Sequence, residues 1–77
     1  MNHPEQDTSL MAGVTVNGQL HQVPTGISLA TLIAMLGHAP QTVATAVDGG
    51  FVARDARETF ALHPGAKVTC FQPIVGG

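Results

Sequence analysis

Along the chain the spacing of apolar residues changes in an order that predicts a strand hairpin, one helix and then further strands. Val14 and Val16 flank Thr15 with period two, and Asn17-Gly18 places two residues tolerant of positive φ at a tight turn. Leu20-His21-Gln22-Val23 returns as the second strand. After Pro24-Thr25-Gly26-Ile27, the Ser28 hydroxyl stands where it can cap a helix, and Leu29, Leu32, Ile33 and Leu36 recur at i, i+3, i+4 and i+7 on one face. With Gly37 as the left-handed residue that ends it, the pattern predicts a helix of about ten residues, long enough to cross a small sheet.

The second half reads as strands again. Val43, Thr45 and Val47 alternate with Ala44 and Ala46, whose small side chains predict a face that another element approaches closely. Asp48-Gly49-Gly50 turns the chain into the short strand Phe51-Val52-Ala53, and Arg54 to Thr59 mixes charges without a period, as a loop or a single helical turn does. Phe60 and Leu62 are expected in the core. His63-Pro64-Gly65-Ala66 turns into Lys67-Val68-Thr69-Cys70-Phe71-Gln72, with Val68 and Cys70 on one face and Thr69 and Phe71 on the other. A helix between strands two and three, covering one face of a mixed sheet of four to five strands, is an α+β arrangement, and the first and last strands are expected side by side at its centre.

Residues 1–10 are polar and aperiodic and are expected to form a disordered extension, with residues 11–72 the folded domain and 73–77 a flexible tail. A chain of 77 residues makes one domain of modest stability, and its single cysteine closes no internal disulfide, which fits a reducing cytoplasm. No basic patch precedes an apolar run at the N-terminus, and no stretch approaches the roughly 20 apolar residues of a membrane span. With 10% charged residues and a net charge of -2, the chain lacks the basic footprint of a nucleic-acid binder. Apolar residues make up 44% against those few charges, so part of the surface is expected to be apolar and to meet a protein partner.

Few side chains suggest chemistry. His3, His21, His38 and His63 are scattered, with no i, i+4 pair and no neighbouring C-x-x-C, so no metal site is expected, and His38 stands where it can meet the negative end of the helix. Asp48 and Asp55 read as turn residues and Glu58 as part of the charged loop, leaving no carboxylate pair for acid–base work. Cys70, in the middle of an apolar strand, reads as a buried small hydrophobe rather than a nucleophile. The chain has no phosphate-cradling glycine loop, so any ATP chemistry falls to a partner.

The last residues differ. Pro73 removes a ladder donor and holds Gln72 extended, Ile74 and Val75 are β-branched, and Gly76 and Gly77 carry no Cβ. The sequence predicts an extended arm whose four residues past Pro73 reach at most about 13 Å, narrow enough at its end to enter a tunnel in another protein. The group most able to do chemistry is then the Gly77 carboxylate itself.

V-T-V-N-G (14–18), S-L-A-T-L-I-A-M-L-G (28–37), A-V-D-G-G-F-V (46–52) and C-F-Q-P-I-V-G-G (70–77), in this order and ending the chain, resemble the ThiS family. The resemblance implies a ubiquitin-like β-grasp fold and the sulfur carrier of thiamine biosynthesis, a co-substrate rather than an enzyme. It implies that a ThiF-type adenylyltransferase uses ATP to activate the Gly77 carboxylate, that a sulfur donor converts it to a thiocarboxylate, and that the sulfur passes to the thiazole synthase ThiG. Carried over by position, Gly77 bears the sulfur, Gly76 permits passage, Phe71, Ile74 and Val75 contact partners, no cofactor is held, and the free protein is expected to be a monomer. The chain departs from the family pattern at Leu62-His63-Pro64-Gly65-Ala66, where L-x-D-G-D is frequent, and at Thr31, where Glu is common; residues 1–10 have no counterpart. Three other readings share the fold: the MoaD small subunit of molybdopterin synthase, a ubiquitin-like modifier, and an interaction module with an inert tail. Gln72, in place of the proline of F-P-P-x-x-G-G, leans away from the first of these.

Overall fold

The structure, a computed structural model, describes residues 10–72; the expected N-terminal extension, save Leu10, and the expected tail 73–77 lie outside the described residues. Two hairpins, a fifth strand between them and one helix build it. Strands β1 (Met11–Val16) and β2 (Gln19–Pro24) form the first hairpin, with Val16 opposite Gln19. Asn17 and Gly18 hold φ of 52° and 86°, so the two-residue turn twists with the strands it joins. Pairing begins one residue before the expected boundary, since the Leu10 carbonyl accepts a bond from the Thr25 amide at 2.8 Å.

Helix α1 (Leu29–Met35) starts at Ser28, whose Oγ accepts from the Thr31 amide at 3.1 Å. It is seven residues long against the expected ten because Ser28 and Leu36 flank it as caps, and Gly37 at φ 84° ends it by αL geometry as expected, with the His38 amide bonded to the Ile33 carbonyl. Leu29, Leu32 and Ile33 are buried, and Leu36 packs against the same cluster from its edge. A 3₁₀ turn at Pro40–Thr42 leads to β3 (Ala44–Val47), and Asp48-Gly49, at φ 52° and 86°, turns it into β4 (Gly50–Val52). Of the two expectations for the charged stretch the helical one holds, as a 3₁₀ segment, Arg54–Thr59, from which the chain enters β5 (Lys67–Phe71) through Phe60, Leu62 and the turn at Pro64-Gly65.

The sheet order is β2-β1-β5-β3-β4. β5 runs parallel to β1 and antiparallel to β3, so the first and last strands lie side by side, as expected, and β5 has a hairpin on either flank. One face carries Val14, Val16, Val23, Val47, Val52, Val68 and Cys70 against α1 and Leu62, a core of aliphatic groups. Val43, Thr45 and Val47 are the inward positions of the third strand's pattern, and Ala44 and Ala46 are only half-buried on the opposite face. The small residues therefore serve not the helix but the outer surface, where Ala44 stands opposite Phe71 and Ala46 opposite Phe51.

Candidate functional site

β5 is the central strand and the last one, so the chain leaves the middle of the sheet toward residues 73–77 with the strand's alternation still in force. Phe71, the last residue of β5, faces away from the helix with 47% of its surface exposed. Phe51 is 70% exposed on the same outer face, and Leu20, opposite Thr15 near the first turn, is 67% exposed. Thr15, Ala44, Ala46, Lys67 and Thr69 share this face by strand register. An aromatic in water gains by being covered, and with Met11, exposed on the same face by the alternation of β1, four large apolar side chains give the sheet the apolar outer surface that the composition predicts. Of the residues tied to the tail's chemistry, the structure thus places Phe71; Ile74, Val75, Gly76 and Gly77 lie outside the described residues.

Cys70 points the other way. It is buried, its backbone amide donates to the Asn17 side-chain oxygen at 2.9 Å, and burial pushes its thiol above the ordinary range. A protonated thiol under the helix is a poor nucleophile. His21 and His38 stand apart from it, and among the described residues no group of three His, Cys, Asp or Glu side chains is gathered for a metal.

Two constellations escaped the sequence. The first joins residues 15 apart: His63 Nε2 lies 2.6 Å from Asp48 Oδ2, while Asp48 Oδ1 accepts from the Lys67 amide at 3.0 Å. The other ring nitrogen, Nδ1, lies 2.8 Å from the Pro64 carbonyl, so both imidazole nitrogens face acceptors and the ring is held best when doubly protonated. The bond to Asp48, and secondarily that to Pro64, raises the His63 pKa; the His63 bond, with that from Lys67, lowers the Asp48 pKa. Both side chains are largely exposed, and they sit at the start of β5, away from the end that leads to the tail.

The second is Arg57, only 4% exposed. Its Nε–H donates to Thr45 Oγ1 at 3.0 Å, Nη1 to the Pro40 carbonyl at 2.9 Å and Nη2 to the Val43 carbonyl at 2.6 Å; the Thr45 hydroxyl in turn donates to the Val52 carbonyl at 3.0 Å. One guanidinium thereby ties the 3₁₀ segment to the loop before β3 and, through Thr45, to β4. An arginine in an aperiodic charged stretch carries no sign of burial, since arginine is ordinarily solvated.

A helix clasped by a mixed five-stranded sheet, with its last strand at the centre and an apolar outer face beside that strand's exit, defines a ubiquitin-like β-grasp protein. The ThiS family pattern matches residues 14–77, and the chain belongs to that family. In fold it is similar to the thiamine biosynthesis protein ThiS from Geobacter metallireducens, with a TM-score of 0.75 over 84% of this chain and 99% of that one, at 22% identity. No curated protein matches the chain. Among the described residues no helix is long and apolar enough to cross a membrane.

Proposed function

We propose that the chain is the sulfur carrier of thiazole formation in thiamine biosynthesis, acting as a co-substrate through the carboxylate of Gly77. The observation that carries this reading is that the family match runs to residue 77, so the tail Pro73-Ile74-Val75-Gly76-Gly77 belongs to the matched pattern and not only the domain before it.

The mechanism needs no side-chain catalyst. A carboxylate is a poor electrophile until one of its oxygens joins a good leaving group. A ThiF-type adenylyltransferase supplies that group: a Gly77 oxygen attacks the α-phosphorus of ATP, pyrophosphate leaves, and an acyl-adenylate forms. A sulfide-level donor, hydrosulfide or its equivalent, then attacks the carbonyl carbon through sulfur, AMP departs and a proton is lost, leaving the thiocarboxylate that ThiG consumes. Gly76 and Gly77 let the arm pass a narrow entrance, Ile74 and Val75 line its approach, and the outer face around Phe71 supplies apolar area for both partners. ATP is bound in trans.

Intact mass spectrometry of the chain incubated with a ThiF-type enzyme, ATP and a sulfur donor tests this. Replacement of one carboxyl oxygen by sulfur, and transfer of that sulfur only when ThiG is added, are the expected results. Loading that discharges to a molybdopterin precursor and not to ThiG assigns the chain to the MoaD reading instead, and an isopeptide bond to a lysine assigns it to the modifier reading.

A further inference from the structure

Between α1 and the Arg54–Thr59 segment lies a half-open cavity of about 120 Å³, lined by Ala30, Ile33, Pro40, Arg54, Arg57 and Glu58. It is on the helix side of the domain, so it shares nothing with the outer sheet face or with the strand that leads to the tail. Ala30, Ile33 and Pro40 are apolar, and the remaining three residues carry two positive charges and one negative.

Arg57 sets its chemistry. A guanidinium has five N–H donors, of which the protein engages three, so each terminal nitrogen keeps a second N–H without a protein acceptor among the described residues. All three acceptors are neutral: two carbonyls and a hydroxyl. A buried cation satisfied only by neutral groups leaves its charge uncompensated, and in a site of low dielectric an anion is drawn to it far more strongly than in water. Arg54, exposed at the rim, adds a second positive charge, and Glu58 opposes one of the two.

We propose that this groove is a carboxylate-binding site, with Arg57 at its base, Arg54 at its rim and the Ala30, Ile33 and Pro40 surface holding the short apolar stem of the acid. The net single positive charge matches one negative charge, and the Glu58 carboxylate opposes a dianion such as sulfate. A planar carboxylate accepts two parallel N–H bonds from a guanidinium, which a spherical anion does not. The same chemistry is presented by a small organic acid and by an aspartate or glutamate side chain of a partner protein. The site does not depend on the sulfur-carrier reading.

The test is a titration of the ¹⁵N-labelled full chain with sodium butyrate, with sodium chloride and sodium sulfate at matched ionic strength as comparisons. Butyrate should shift the Arg57 side-chain Nε–H and the Ala30 and Ile33 amides in a saturable way, and neither comparison should. Arg57 stays in place in the variants, so the fold is kept: Arg54→Gln should weaken binding about threefold, Glu58→Gln should strengthen it by a similar factor, and Ala30→Leu, which fills the groove, should abolish it. Absence of saturation, an equal response to chloride or sulfate, or binding that survives Ala30→Leu overturns the proposal. The blocked peptide acetyl-Gly-Glu-Gly-amide separates the two sources: tighter binding than butyrate assigns the site to a protein side chain, and weaker binding assigns it to a free acid.

Discussion

His63 Nε2 stands 2.6 Å from Asp48 Oδ2, and this bond joins the β3–β4 turn to the segment that leads into β5. Both residues belong to stretches read from sequence as turns. Asp48 also receives the Lys67 amide, so one carboxylate fastens the start of the central strand from two directions.

The pair makes stability depend on pH in a direction that can be worked out. The His63 pKa is raised from its usual 6.5 by Asp48, so its contribution is complete below 6.5 and is lost as pH rises through the raised folded value. The Asp48 pKa is lowered from 3.8, so its contribution is complete above 3.8 and is lost as pH falls through the lowered folded value. Between those limits the bond contributes fully. Thermal midpoints of the wild type and His63→Gln should therefore differ most near pH 5 and converge on the alkaline side, by an amount typical of an exposed pair. A gap that stays constant from pH 5 to 9 contradicts the assignment.

Arg57 is expected to be the most sensitive polar residue of the domain. Arg57→Ala strands the Pro40 and Val43 carbonyls and the Thr45 hydroxyl, and bonds to charged groups are worth about 1.5–3 kcal/mol each, so a loss of about 3 kcal/mol or more is expected in urea unfolding. Thr45→Val keeps the shape and should cost less, about 1–2 kcal/mol. If both variants lose under 0.5 kcal/mol by the scale usual for surface sites, the buried network is not what holds the 3₁₀ segment.

Cys70 is buried in the core and is expected to be structural. Cys70→Ser buries a hydroxyl among aliphatic groups and should lower stability by about 1–3 kcal/mol, yet the folded variant should accept sulfur at Gly77 as well as the wild type does. Mass spectrometry of the loaded variant decides this, because a folded but unloadable protein makes the thiol part of the chemistry.

Phe71 should show the reverse. Nearly half of its surface is already in water, so Phe71→Ala changes the urea midpoint little, whereas kcat/KM for adenylation by a ThiF-type enzyme should fall by about tenfold if the ring is an anchor of the interface. Phe51→Ala on the same face is the companion measurement. Unchanged kinetics in both would remove the outer face from the docking surface.

The Gly77 carboxylate should matter by position. One added residue moves it by roughly 3.5 Å, and reacting centres rarely tolerate that. A chain with a C-terminal tag, or lacking Gly77, is expected to retain its thermal midpoint and to lose ATP–pyrophosphate exchange with the adenylyltransferase. Exchange at the wild-type rate in either variant leaves the tail as an inert appendage.

Local pattern determined much of this protein. Period-two valines, the Asn17-Gly18 turn, the Ser28 cap and the aliphatic residues at i, i+3, i+4 and i+7 specify the hairpin and the helix, because those signals arise from neighbouring residues and from which face must be buried. The inward setting of Val68 and Cys70 was legible for the same reason, as was the motif order that marks the family, whereas the side-by-side placement of β1 and β5 was expected from the α+β arrangement and not from any local signal. What only the tertiary structure decided involves residues far apart in the chain. The direction of Ala44 and Ala46 was fixed by which face of β3 the helix covers, and that depends on the whole sheet. The Asp48–His63 bond forms because the β3–β4 turn and the β5 entry meet at one end of the sheet, a proximity that neither turn encodes alone. The burial of Arg57 follows from three acceptors, at Pro40, Val43 and Thr45, that converge only when the chain has closed around the helix, and a long cation enters a core only where such partners are already assembled.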